Sequence, residues 1–215
     1  MDLEITEDSL LELLHPHDEQ GKRKSALLEA TFDVIAEVGF EGLRTRAVAE
    51  RAGVNVATLH YYFPGKQALI EGLAQFLGAK FAALHGPAPQ PSGYAALDAL
   101  RQEFSDGSYY QAHQPKMLIV MQEFGLRGER DPEVQKIVDM MYGYWLRNLE
   151  RIVTAGLADG TFRPDLDREQ TQVMLQCLLA GASVSRGEMF RQLQQGVERW
   201  LLTEEIWKAT RGAEQ

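Results

Sequence analysis

Between residues 39 and 69 the chain reads GFEGLRTRAVAERAGVNVATLHYYFPGKQAL, two short helical patterns separated by Gly53. Neither pattern is large enough to carry a core alone, since helices below about 12–15 residues are marginal in water. Val48, Ala49 and Ala52 recur at helical spacing and give the first pattern one apolar face. Ala49 is small enough for a second helix to cross closely. Gly53 stands where the first helix ends, a position that favours the left-handed conformation glycine adopts without strain. Val54 plugs the turn and Asn55 is a favoured N-cap for the second helix. Leu59 and Phe63, four apart, anchor that helix to a core, with Val56 or Tyr62 beside them. Pro64-Gly65 stops it and Lys66 opens the next helix.

The second pattern places Asn, Thr, His and two Tyr where a surface helix would carry Glu and Lys. Two small helices at a tight glycine turn, the second rich in hydrogen-bonding groups, are the pattern of a helix-turn-helix DNA reader. Such a helix presents its N-terminal part to base edges while neighbouring groups hold phosphates. Asn55, Val56, Ala57, Thr58 and Tyr61 are the groove candidates, with Val56 and Ala57 able to meet a thymine methyl. His60, Tyr61, Tyr62 and Lys66 are candidate phosphate ligands. Arg44, Thr45 and Arg46 add charge and backbone N–H donors at the start of the preceding helix. Taken singly, a His or Tyr on a short helix is more often a packing residue. Turn, cap, Thr-Leu-x-Tyr-Tyr-Phe and Pro-Gly-Lys at fixed spacing are far harder to obtain by accident.

This stretch resembles the DNA-binding domain of TetR-family transcriptional regulators over about residues 22–75. The resemblance rests on Gly39-Phe40, Val48 to Val54, Ala57 to Lys66 and Ala68-Leu69. The preceding helix, Lys24 to Val38, has matching spacing at Leu27, Leu28, Ala30, Thr31, Val34, Ile35 and Val38. Three positions depart from the family run. Leu43-Arg44 precede Thr45 where Thr or Ser commonly caps the second helix, His60 stands where Tyr is common, and Val56 where a polar or basic residue is frequent. The departures bear on which sequence is read. Beyond residue 75 the resemblance is architectural.

Net charge is −9, which a DNA reader does not obviously want. Split along the chain, residues 1–20 carry −7, residues 22–66 carry +2, and the remainder −4. The positive charge lies with the motif, and Lys22-Arg23-Lys24 offer a phosphate clamp just before the first helix. The acidic arm, residues 1–20, is expected to be flexible. Its Leu3, Leu10, Leu11, Leu13 and Leu14 also allow a short amphipathic helix ending near His15-Pro16. His15 and His17 lack a further Cys or carboxylate at ligand spacing, so no metal is expected. One cysteine, Cys177, excludes an internal disulfide and suits a reducing cytosol. No apolar run approaches the ~20 residues a membrane span needs, so a cytoplasmic protein with no membrane partner is expected.

The remainder reads as all helix, giving an all-α chain: a three-helix head over residues 21–67 and a larger helical domain over 68–215. Helices are expected at Gln67–Leu84, Tyr94–Phe104, Lys116–Arg127, Glu133–Ala158, from Asp165–Asp167 to about Ser185, and as one long helix from Met189 to Ala209. Breaks are expected at His85–Gly93, Ser105–Gly107, Arg127–Pro132 and Asp159-Gly160, and no segment reads as a strand pair. Aromatic and Met side chains in these helices are usually core. In a TetR-like regulator they also surround an effector cavity, and such residues suit a large apolar ligand. The candidates are Phe104, Tyr110, His113, Met117, Met121, Phe124, Met141, Tyr144, Trp145 and Met174, with Gln122, Arg147 and Gln176 as further polar orienters. Val173, Cys177, Leu178 and Gly181, with Val197, Trp200 and Leu201 of the final helix, suggest a four-helix dimer interface.

The resemblance thus implies a regulator, most simply a repressor, that binds a near-palindromic operator as a homodimer and is released by a small apolar effector. The alternative is a DNA-binding regulator with no small-molecule ligand, controlled by a partner protein or by the acidic arm. The sequence shows no Ser/His/Asp order, metal-ligand spacing or nucleotide-binding loop in a suitable context, so neither catalysis nor a cofactor is expected.

Overall fold

The computed structural model describes residues 13–182 and 187–212. Among them the helices are α1 (Glu19–Gly42), α2 (Thr45–Arg51), α3 (Val56–Tyr62), α4 (Lys66–Ala83) and α5 (Ala95–His113), followed by α6 (Pro115–Gly128), α7 (Pro132–Ala158), α8 (Arg168–Ala182), α9 (Glu188–Leu201) and α10 (Glu204–Gly212). They cluster into two units. The first takes the chain to Leu84 together with Pro115–Met141, and the second holds His85–Gln114 and everything from Tyr142. Among the described residues no helix is long and apolar enough to cross a membrane.

In the first unit α1 starts five residues before the expected Lys24. Asp18 is the reason: its carboxylate accepts the Gly21 N–H at 2.6 Å and caps the helix. Pro16 lies so close to Gly21 that a Cβ there would stand 2.7 Å from the proline Cβ. The amphipathic helix expected in the arm lies, up to residue 12, outside the described residues. Along α1, Leu27, Leu28, Ala30, Thr31, Val34 and Ile35 are buried, and the Thr31 hydroxyl donates to the Leu27 carbonyl at 2.7 Å. Val38 breaks the expected stripe: it is 56% exposed and folds across Gly42, where only a hydrogen fits. The chain leaves regular helix at Gly39 (φ 68°, ψ 178°).

Beside α2, two neighbours hold α1. Helix α4 is buried around most of its circumference, through Leu69, Ile70, Leu73, Ala74, Phe76, Leu77 and Ala79, as befits the central helix of a small unit. The Phe63 ring lies over Gly72, leaving no room for a side chain. Helix α6, the other neighbour, packs along α1. Phe124 meets the Phe40 ring edge-on at 5.1 Å, Lys116 pairs with Asp33 at 2.5 Å, and the Glu123 carboxylate accepts the Phe40 N–H at 3.0 Å beside the Gly39 bend.

The second unit closes around Leu97, Leu100, Phe104, Leu149, Val153, Phe162, Leu175 and Leu201. Two sequence expectations fail here. The break at Ser105–Gly107 does not occur, and α5 runs unbroken to His113. Those residues serve the connector before the helix instead. The Asp106 carboxylate accepts the Gly86 N–H at 2.7 Å and meets His85 Nδ1 at 3.0 Å, while the Ser105 hydroxyl donates to the Pro87 carbonyl. Phe190 packs over Gly107, its ring edge 3.4 Å from where a Cβ would stand. Tertiary contact overrides propensity.

The long final helix is two helices. Leu202 is extended (φ −72°, ψ 148°) and forms an isolated antiparallel bridge with Phe162. The Arg163 N–H donates to the Leu201 carbonyl at 2.8 Å, and the Thr203 N–H to the Thr161 carbonyl at 3.3 Å. The turn after α7 therefore takes the backbone groups that a continuous helix would have used. Thr203 followed by Glu204-Glu205 was the sequence signal for a new helix start.

Candidate nucleic-acid interface

The turn before α3 is built by hydrogen bonds that only a left-handed residue at 53 permits. Gly53 has φ 68°. Its N–H donates to the Glu50 carbonyl at 3.1 Å, and the Val54 N–H reaches the Ala49 carbonyl at 2.9 Å. This paired closure satisfies the last carbonyls of α2 and aims the chain into α3. Val48 and Ala49 are buried, so α2 is locked to the core as α3 leaves it. Leu59 is 0% exposed and Phe63 3%. These two fix the roll of α3 and thereby decide which side chains face outward.

On the outward face Asn55 caps α3, its side-chain oxygen accepting the Thr58 N–H at 2.8 Å and the Thr58 hydroxyl at 3.0 Å. The cap has a chemical consequence. With its hydroxyl hydrogen turned toward Asn55, Thr58 offers lone pairs outward, which suit a base amino group rather than a phosphate oxygen. Tyr61 is 75% exposed, with Tyr62 packed edge-on against it at 5.2 Å. Ala57 and His60 are exposed, while Val56 and Tyr62 are half-buried.

Arg23, Asn55, Ala57, Thr58, Tyr61 and Tyr62 line one open cleft of about 410 Å³. Arg23 belonged to the basic run before the first helix. Its place beside α3 comes from the packing of α1, and no spacing in the sequence puts it there. Of its neighbours, Lys22 pairs with Glu19 at 2.8 Å and Lys24 is half-buried. Arg44 is the N-cap of α2 without a side-chain capping bond, and its guanidinium donates back to the Glu41 and Leu43 carbonyls at 2.7 and 3.1 Å. Thr45 is the first residue of α2 and half-buried, and Arg46 and Lys66 are exposed. Arg51 pairs with Glu37 at 2.6 Å and faces α1. That hydrogen bond holds the Glu37 carboxyl below its ordinary value.

The pocket candidates divide between the units. Met117 and Phe124 are fully buried in the first, with Met121 and Met141 half-buried there. Phe104, Tyr110, His113, Tyr144, Trp145 and Met174 belong to the second. Phe104 packs edge-on with Phe190 at 5.7 Å. The Trp145 indole donates to Glu103 at 2.8 Å, and Asn148 donates to the other carboxylate oxygen. Burial pushes the Glu103 carboxyl above its usual range, partly offset by these two donors. Burial likewise raises the Tyr110 phenol. His113 stacks on Tyr109, Arg147 lies over the Tyr144 ring, and Met174 and Tyr144 are about half exposed.

Among the interface candidates, Val173, Cys177 and Gly181 lie exposed along α8, and Leu178 and Trp200 are half-buried. Val197 and Leu201 differ from expectation. At 1% and 0% exposure they belong to the core of their own unit and have no surface to offer a partner. Periodicity identified the apolar face of α9 but could not say what covers it.

Comparison with known proteins bears on the same segment. Residues 27–73 match the family model described as bacterial regulatory proteins, tetR family. The chain is similar to the HTH-type transcriptional repressor KstR of Mycobacterium tuberculosis, 30% identical over 139 residues, which are 61% of this chain and 61% of that protein. The match thus spans about three-fifths of that relative. In fold the chain resembles a TetR transcription regulator from Haloarcula marismortui, with a TM-score of 0.69 at 17% identity over 85% of this chain and 99% of the other. It also resembles the ketosteroid transcriptional regulator KstR2 of Mycobacterium tuberculosis, with a TM-score of 0.57 at 19% identity over 85% and 96%.

Proposed function

We propose that the chain, whose residues 27–73 match the model of the tetR family of bacterial regulatory proteins and which is 30% identical to the repressor KstR over 61% of that protein, is a transcriptional repressor of that family that binds a near-palindromic operator as a homodimer through α3. The observation that carries this reading is the division of α3 into two faces. Leu59 and Phe63 are given to the core, and Asn55, Ala57, Thr58 and Tyr61 stand with Arg23 in one open cleft. A dimer answers a physical need. One short helix contacts too few base pairs to select a site from a genome, and two heads at half-sites one or more helical turns apart contact enough. The exposed Val173, Cys177 and Gly181 face of α8 supports it as the surface a second copy covers.

The same proposal includes a small apolar effector bound among the C-terminal helices. Their supply of aromatic and Met side chains favours such a ligand. The effector acts by binding more tightly to a state whose heads no longer match the operator spacing, because only differential affinity can shift the equilibrium.

Operator selection with the purified protein, repeated with candidate apolar effectors, tests the whole reading. Thr58→Ala, Tyr61→Ala and Lys66→Ala combined should weaken operator binding by roughly 5- to 150-fold per lost contact, at about 1–3 kcal/mol each. A triple variant that binds like the parent sinks the DNA-reading role of α3.

A further inference from the structure

The basic run Lys22-Arg23-Lys24 lies across the first turns of α1, and the helix gives its members different surroundings. Arg23 heads a row of residues four apart, and the three that follow it, Leu27, Thr31 and Ile35, are all buried. Residues at this spacing share a helix face. The Arg23 side chain therefore leaves α1 on the face that the core takes up one turn later. There it lines the open cleft with Asn55, Ala57, Thr58, Tyr61 and Tyr62. Its helix is held at both sides of it, by the Asp18 cap on the Gly21 N–H and by the buried Leu27 and Leu28. The guanidinium has no carboxylate partner among the described residues. Lys22, one residue earlier, pairs with Glu19 at 2.8 Å. Lys24 heads a neighbouring row, followed by the buried Leu28 and Phe32. Neither lysine lines the cleft.

Resting on the DNA-binding reading above, we propose that Arg23 alone of this run is a phosphate clamp: its guanidinium binds one DNA phosphate at the cleft and sets where α3 enters the groove. The chemistry of the cleft divides accordingly. Asn55, Ala57, Thr58, Tyr61 and Tyr62 bring an amide, a methyl and hydroxyls to it, and Arg23 brings the formal charge. A guanidinium offers paired N–H donors that match two oxygens of one phosphate. Such a contact fixes register and orientation and carries no sequence information. Arg23 stands on α1, whose next turns are buried, so the contact ties the DNA backbone to the body of the head and not to the short α3. Lys22, already paired, and Lys24, outside the cleft, make no such contact.

The test uses the full chain with Arg23→Gln, Arg23→Lys or Lys22→Gln. Each is titrated against the selected operator and against a random-sequence duplex across a salt series. Losing one phosphate contact lowers the slope of log K against log salt by about 0.9, which is about eightfold per head at roughly 0.1 M salt and closes toward about 1 M. Arg23→Gln should show this loss on both duplexes alike. Arg23→Lys should keep the slope, because the charge stays. Lys22→Gln should keep the parent slope, although it removes the same charge one residue away. A loss confined to the operator would make Arg23 a reader of bases and overturn the clamp. An Arg23→Gln slope equal to the parent's, or an equal fall in Lys22→Gln, would overturn it too. So would a lower Tm in Arg23→Gln with binding that Arg23→Lys does not restore, since the loss would then come from folding. Failure of the DNA-binding reading looks different: there the Thr58, Tyr61 and Lys66 triple variant binds operator as the parent does.

Discussion

A Cβ built on Gly53 would meet nothing within 4 Å, yet the residue has φ 68°. The cost of filling it is therefore conformational and not steric. Gly53→Ala should lower stability by about 1–2 kcal/mol, seen as a fall in Tm of roughly 2–4 °C per kcal/mol for a chain of this size. An unchanged Tm would mean that the turn relaxes out of the left-handed region. Asn55 was legible as a cap, because few side chains satisfy the first N–H groups of a helix. Its second bond, from the Thr58 hydroxyl, was not. That bond depends on rotamers, and it commits the Thr58 hydroxyl hydrogen to Asn55. Arg23 shows the same limit: its charge was visible, its address was not.

At the scale of elements, composition predicted helices well and their ends less well. Helices α3, α4, α6 and α7 fall within a few residues of expectation, because Asn55, Pro64-Gly65, Pro115, Asp131-Pro132 and Asp159-Gly160 punctuate the chain locally. Ser105–Gly107 carried the same punctuation and formed helix, since its side chains were engaged by the 85–87 connector. One contact between helices is a strong candidate for measurement. Glu198 on α9 is 3% exposed and takes both Arg101 Nε and Nη2 of α5, at 3.0 and 2.8 Å, with Gln194 adding a bond at 2.9 Å. Glu198→Ala strips the Arg101 guanidinium of this bidentate carboxylate and should cost about 3–5 kcal/mol. The double change Arg101→Leu with Glu198→Leu should recover much of that loss. Urea unfolding of the three variants measures both, and a double variant as unstable as the single one would refute the pairing argument.

For the molecule as a whole, charge is segregated along the chain: a basic stretch over residues 22–66, an acidic arm and a moderately acidic helical remainder within a net −9. The stability of the whole also carries a pH signature from Glu103. Burial raises its folded-state carboxyl above the ordinary value near 4.5. The folded protein then holds a proton that the unfolded chain has released, so this group's contribution falls as pH rises from about 4.5 through the raised value. Glu103→Gln should flatten that part of the stability curve in thermal melts between about pH 4 and 7. Parallel curves for parent and variant would assign the pH dependence elsewhere. The all-α class, the Gly53 turn and the α3 anchors Leu59 and Phe63 follow from the sequence alone, because periodicity, caps and left-handed glycines act within a few residues. Tertiary structure alone decided that Arg23 lies beside the open face of α3, that Val197 and Leu201 turn inward, and that Leu202 pairs with Phe162. Each of these depends on what lies across space from the residue, and one sequence gives the period of a face without naming its neighbour.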